Sequence, residues 1–147
     1  MQHKDKTRQH TGCQYRLGQL FANNIGNKQR SDLVLCDTNN VIVAFCGITN
    51  IDSKLRKGEI YTFVNPYEHH KGIGTIAKQL MIEYAFKNLN LNKVYSIVNE
   101  DNVPSSRINE KLGFKLEGRI RQDDVNEDGK FRDRLYYGLL QNEYIFG

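Results

Sequence analysis

The sequence predicts an α/β fold of the α+β kind: a mixed, mostly antiparallel sheet with a parallel strand pair at its centre and flanking helices. Three observations lead there. A β-branched hairpin signal occupies the first third, a strand–helix–strand unit the middle, and two strands split by a polar loop the end. Two strands joined through a helix imply a parallel pair with a crossover, whereas hairpins imply antiparallel neighbours.

Taken in order, residues 1–13 are polar and irregular. Gln14 to Asn24 fits a short amphipathic helix, with Leu17, Leu20 and Phe21 on one side. Leu33–Cys36 and Val41–Ile48 are apolar runs joined by Asp37-Thr38-Asn39-Asn40, a hairpin signature. Glu59–Asn65 is a strand stopped by Pro66, which has no N–H for a ladder. Lys71–Asn88 is the clearest helix: Ile73, Ile76, Ala77, Leu80, Met81, Tyr84 and Ala85 recur at helical spacing. Lys93–Asn99 is a strand, and Pro104–Leu112 a short helix capped by Asn102 and ended by Gly113. Phe114–Arg121 and Arg134–Leu140 are strands, with Asn126-Glu127-Asp128-Gly129 in the loop between them. The aromatic set Tyr61, Phe63, Tyr84, Phe86 and Tyr95 fits core packing.

Residues 1–147 fit one domain. With 39% apolar and 26% charged residues the chain buries one core, and no apolar run is long enough for a membrane span. The polar, basic start is unlike a secretory signal, so the expected location is cytoplasmic. Cys36 and Cys46 lie in apolar runs as small hydrophobes, and neither CxxC nor a Cys/His cluster is present, so no metal is expected. The net charge of +4 is spread without a basic stripe, which favours a phosphate-bearing small molecule over nucleic acid.

The chemistry concentrates in Asn65-Pro66-Tyr67-Glu68-His69-His70-Lys71-Gly72-Ile73-Gly74-Thr75, between a strand end and a helix start. Two glycines let a ligand approach the backbone, and the first helical N–H groups point at it with the positive end of the helix dipole. On their own the glycines fit a turn equally well. The segment is neither a Walker loop nor a dinucleotide fingerprint. A second segment, Asn102-Val103-Pro104-Ser105-Ser106-Arg107-Ile108-Asn109-Glu110-Lys111-Leu112-Gly113-Phe114, follows the next strand.

With these two motifs in this order the chain resembles the GNAT acetyltransferases over about residues 33 to 144. There a [Gln/Arg]-x-x-Gly-x-[Gly/Ala] loop holds the coenzyme A pyrophosphate, and His69-His70-Lys71-Gly72-Ile73-Gly74 stands in its place. Within the family NxxSxRxxEKLGFxxEGRIRQ, followed by GKFRDRLYYGLLQNEY, is most similar to the branch acetylating ribosomal-protein N-termini (Rim-type) and to aminosugar-nucleotide acetyltransferases. The resemblance implies a sheet splayed around acetyl-CoA and transfer of its acetyl group to a primary amine, with polyamines also open as acceptors.

It implies cofactor contacts from Phe63, Val64, His69, His70, Lys71, Gly72, Ile73, Gly74, Thr75, Asn102 and Ser105. Ser105 is implied beside the sulfur, as donor to the departing thiolate, and a backbone N–H near Val64 as the oxyanion donor. Glu59 or Asp124 would take the ammonium proton. Each has a plainer reading: Ser105 and Asn102 as helix-start residues, Asp124 as a turn acid and Glu59 as a solvated carboxylate. His69 replaces the usual Gln or Arg, Asn109 stands where many members carry a Tyr that protonates the thiolate, and the N-terminal part is short for the family. An acyl-CoA-binding module without efficient catalysis is the alternative expectation. The last strand and the tail Tyr144-Ile145-Phe146 suit the edge of a homodimer.

Overall fold

The computed structural model describes residues 15–19, 29–68 and 72–145. Seven strands form one sheet in the order β1-β2-β3-β4-β5-β7-β6. They are β1 (Arg16–Gln19), β2 (Ser31–Cys36), β3 (Ile42–Asp52), β4 (Lys57–Val64), β5 (Lys93–Asn99), β6 (Lys115–Val125) and β7 (Phe131–Leu140). Helix α1 (Ile73–Lys87) crosses from β4 to β5, and α2 (Val103–Lys111) follows β5. This is the expected mixed sheet: β4 and β5 pair parallel and every other pair is antiparallel.

Local chemistry explains most boundaries. In the β2–β3 turn the Asp37 carboxylate accepts from the N–H groups of Asn39 and Val41 at 2.8 and 3.0 Å, and Asn40 takes φ 61°. Pro66 opens a single 3₁₀ turn, Pro66–Glu68, that carries the chain off β4. Asn102 caps α2, its side chain accepting from the Ser105 N–H at 3.4 Å, and Gly113 with φ 92° ends that helix.

The segment expected as a helix from Gln14 to Asn24 is corrected where it is described: Arg16–Gln19 is a strand. Leu17 pairs with Leu35 and packs against the core, so the ladder satisfies backbone groups that a single helical turn would leave open. The remaining part, like residues 1–13, lies outside the described residues. The dimer-edge reading of the last strand is also corrected. β7 lies between β5 and β6, and β6 is the outer strand.

Both helices cover one face of the sheet. Cross-strand partners share a face, and alternate residues point opposite ways. Ile48, Ile60, Val94, Val98, Leu135, Tyr137 and Leu139 lie under α1, where Met81, Ile82, Ala85 and Phe86 complete the core. The other face carries Phe45, Tyr61, Phe63, Tyr95, Ile97 and Tyr136. Of the aromatic set, therefore, only Phe86 is fully buried. Phe63 is 68% exposed, because odd positions of β4 face away from the helices. Cys36 and Cys46 are buried free thiols, and burial pushes Cys46 up to about 12.

Phe86 is 2% exposed and also meets the Tyr144 ring at 6.0 Å. Phe86→Ala should cost about 3–5 kcal/mol through lost burial and the cavity left behind, read as a lower urea midpoint at unchanged slope.

Candidate active site

The central parallel ladder is short. β4 and β5 meet at Lys57–Lys93, Gly58–Val94 and Glu59–Tyr95, and the register ends there although both strands run on. A wedge therefore opens between them toward their C-terminal ends. Beyond it β4 follows β3 while β5 follows β7. The Asn65 N–H donates to the Val43 carbonyl at 2.9 Å, so strand alternation turns the amides of Thr62 and Val64 toward the wedge.

The start of α1 lies at the mouth. Gly72 takes φ 70° and gives no side-chain cap, and the Ile76 N–H makes the first helical bond, to the Gly72 carbonyl at 3.1 Å. Among the described residues the amides of Ile73, Gly74 and Thr75 are thus left for a ligand, as at any uncapped helix start. A side chain at Gly72 would meet nothing within 4 Å, so the space there is open. A Cβ on Gly74 would lie 3.3 Å from Ile108 of α2 and 3.6 Å from Val64 of β4. Gly74 is therefore where α1, α2 and the end of β4 converge.

The other residues expected at the site stand in different surroundings. Ile73 is 1% exposed, so it offers only its backbone. Thr75 and Ser105 are half-buried, and Asn102 is exposed with its side chain engaged as the cap. Phe63 points from β4 to the uncovered face. His69, His70 and Lys71 lie outside the described residues. Next to Ser105, the Ser106 hydroxyl is buried without a hydrogen-bond partner among the described residues. An uncapped helix start, a glycine whose Cβ would crowd the junction and an orphaned hydroxyl fit a polar, phosphate-bearing ligand threaded into the wedge. Among the described residues no cluster of His, Cys, Asp or Glu could hold a metal.

The two candidate bases sit differently. Glu59 occupies the last rung of the β4–β5 ladder on the uncovered face, accepting from the Asn50 amide at 3.2 Å. Its neighbours Tyr95 and Tyr136 stack at 4.9 Å. Burial first, and then nearby charge including Glu59, raises both phenols, Tyr136 up to about 12. Asp124 lies far along β6 in an arginine network, 2.7 Å from Arg132 and 3.3 Å from Arg134. The Arg132 hydrogen bond chiefly holds its carboxyl below the usual carboxylate range. A carboxylate so held is a weakened base. Across the wedge wall, Tyr61 donates to Asp32, which Arg30 grips at 2.7 and 2.8 Å. A Cβ on Gly47 would sit 2.6 Å from the Tyr61 ring, so that ring crosses β3 only because position 47 is glycine.

One cluster escaped sequence reasoning. Lys78 of α1 is 5% exposed and donates to Ser96 of β5 at 2.9 Å and to Asn109 of α2. Asn109, 0% exposed, donates in turn to Ser96 at 3.2 Å. Burial lowers the Lys78 ammonium to about 8. The only sequence signal was a lysine inside the apolar run of α1.

Comparison with known proteins agrees with this architecture. Residues 3–115 match the family described as acetyltransferase (GNAT) domain. An N-acetyltransferase of Bacillus licheniformis named p20, itself uncharacterized, is 32% identical over 81% of this chain and 66% of its own. The spermidine N(1)-acetyltransferase of Escherichia coli K12 is 28% identical over 88% of this chain and 68% of its own. YdaF of Bacillus subtilis, whose name proposes ribosomal N-acetylation, is 36% identical over 69% and 56%. The chain thus spans between about half and two thirds of the length of these relatives. Among solved structures, the dodecameric spermidine N-acetyltransferase of Vibrio cholerae superposes with a TM-score of 0.79 at 23% identity, covering 83% of this chain and 71% of that one. A chimera of Vibrio cholerae SpeG and hSSAT reaches 0.85 at 19%, covering 90% and 98%. At these identities the likeness is one of fold.

Arg132→Ala should let the Asp124 carboxyl rise toward the ordinary carboxylate range, followed by NMR titration of side-chain carbons. Because the folded-state value is depressed, the pairing stabilises the protein above the unfolded value and is lost as pH falls. The stability gap between wild type and variant should therefore narrow below about pH 4 in acid-unfolding curves.

Proposed function

The chain belongs to the GNAT acetyltransferase family, and we propose that it transfers the acetyl group of acetyl-CoA directly to a primary amine. The observation that carries this is the wedge: a parallel ladder that stops after Glu59–Tyr95 beneath an uncapped, glycine-started helix. The backbone amides of Gly72, Ile73, Gly74 and Thr75 receive the pyrophosphate, and His69, His70 and Lys71 complete that loop. Thr62 and Val64 offer backbone groups to the pantetheine arm and the thioester carbonyl, with Val64 N–H as oxyanion donor. Phe63 borders the acyl end from the uncovered face. Asn102 and Ser105 line the α2 side, with Ser105 meeting the cofactor.

Glu59 takes the proton from the incoming ammonium, directly or through water. It stands at the base of the wedge and is hydrogen-bonded to an amide rather than to a cation. Asp124, fixed by Arg132 and Arg134, shapes the acceptor side instead.

The charge pattern bears on the acceptor. Glu100, Asp101, Asp123, Asp124 and Asp133 face Arg119, Arg132 and Arg134 in ion pairs between 2.7 and 3.5 Å. An acidic surface already neutralised in this way offers little to a polycation. A single amine, as on a protein N-terminus of the Rim type or an aminosugar nucleotide, suits it better than spermidine does. The reading places the protein in the cytoplasm, where acetyl-CoA is made and used. It also includes self-association through the outer strand β6, to be checked by sedimentation.

Calorimetric titration with acetyl-CoA tests the cradle. Wild type should bind, and Gly72→Glu/Gly74→Glu should weaken binding about 100-fold or more, equivalent to ~2.8 kcal/mol. No heat from the wild type would end the acetyltransferase reading. With binding established, peptide N-termini and aminosugar nucleotides should be acetylated faster than spermidine at equal concentration. Binding without turnover on any amine would instead leave an acyl-CoA-holding module.

A further inference from the structure

We propose that the Ser96 hydroxyl, backed by Lys78 and Asn109, is the proton donor to the thiolate that leaves when the acetyl group is transferred. The inference rests on the acetyl-CoA reading and deepens it.

Hydrogen-bond bookkeeping fixes the direction of every proton in the cluster. An ammonium can only donate, so the group of Asn109 facing Lys78 is its oxygen, and its NH₂ faces Ser96. Ser96 Oγ therefore accepts twice, from Lys78 at 2.9 Å and from Asn109 at 3.2 Å. Both lone pairs are used, and neither partner can accept in return. The Ser96 O–H must therefore point to a partner outside the cluster.

Its position is the second argument. Ser96 is the first residue of β5 beyond the last rung with β4, so it stands where the wedge begins, on the helix face. Lys78 reaches it from α1 and Asn109 from α2, so the cluster spans the two helices that flank the wedge. An extended arm entering at Gly72 and running down between β4 and β5 would run toward this residue.

Chemistry is the third. Lys78 meets a hydroxyl, an amide oxygen and the Phe114 ring at 5.3 Å, and burial alone accounts for its depressed value near 8. No carboxylate among the described residues pairs with it. Sign matters here: with a folded value below the unfolded one, the buried ammonium destabilises the fold at neutral pH, and that penalty fades only as pH rises from about 8 to about 10.4. A lysine near 8 is matched to a thiol of about 8.5, as proton transfer requires.

The step balances. The C–S bond of the tetrahedral adduct breaks and its electron pair goes to sulfur. The Ser96 proton moves to sulfur, and a Lys78 proton moves to Ser96 Oγ. The acceptor ammonium sheds two protons in becoming an amide. One makes up the proton given by Lys78 and the other leaves to water.

The test uses coenzyme A itself, the product thiol, so no acceptor is needed. Ultraviolet thiolate absorbance of the bound thiol is titrated against pH for wild type, Lys78→Met, Ser96→Ala and Ser105→Ala. In wild type the bound thiol should ionise at least about tenfold more readily than free coenzyme A, one pH unit. Lys78→Met and Ser96→Ala should each lose most of that gain while still binding, with the thermal midpoint of Lys78→Met at pH 7 equal to wild type or higher. A purely structural Lys78 predicts the reverse, a lower midpoint and an unchanged thiol titration. Wild-type thiol titrating like free coenzyme A, retention of the shift in both variants, or its loss in Ser105→Ala would each overturn the assignment. Failure of wild type to bind coenzyme A at all would instead strike the acetyl-CoA reading beneath it.

Discussion

The molecule depends on a ladder that stops early. Parallel strands β4 and β5 share only the rungs from Lys57–Lys93 to Glu59–Tyr95 before each follows a different antiparallel partner. A sheet that divides leaves backbone groups that water or a ligand must satisfy. The start of α1 packs closely beside this division, with Val64 of β4 and Ile108 of α2 on either side of Gly74. The uncapped start of α1, the free amides of β4 and the two polar clusters all lie where that ladder ends.

The last rung also separates two kinds of titratable chemistry. On the uncovered face Glu59 is partly solvated and bonded to an amide, suited to taking a proton from an amine arriving from water. On the helix face, one residue further along β5, buried Lys78 and Asn109 hydrogen-bond to buried Ser96. A single layer of sheet thus separates a carboxylate in contact with water from a buried hydroxyl–ammonium pair. The arginine belt around Asp124 and Asp133 is an ion-pair network on the outer hairpin. It fixes the long β6–β7 hairpin, whose register shifts twice, and Gln122 bonds to Asp133 there at 2.8 Å.

Much of this was legible in the residues. The Asp37–Asn40 turn, the cap at Asn102 and the stop at Gly113 each rest on local chemistry and emerged where expected. Gly72 and Gly74 were legible as a pair but not as individuals. Gly72 is needed for its positive φ, whereas at Gly74 a Cβ would make a tight contact with α2 and an ordinary one with β4. Leu17 misled because spacing to Leu20 and Phe21 suits a helix, while the pairing with Leu35 that decides the matter lies across the sheet. Phe63 misled because aromatic content predicts burial, and only strand parity shows which face a residue takes. Lys78 was invisible for a related reason. A charged residue in a periodic helix reads as solvent-facing, and only the crossing of α1 over β5 and α2 puts it inside.

Tyr61 shows how far from the wedge its shape is set. The ring leans across β3 over Gly47 to bond Asp32, itself gripped by Arg30, so the uncovered face of β4 is braced from two strands away. Anyone redesigning this protein for a new amine would ordinarily vary the residues lining the cleft. Here the tilt of the wall is written at positions 30, 32 and 47, and a library that leaves them untouched would sample new surfaces on an unchanged frame.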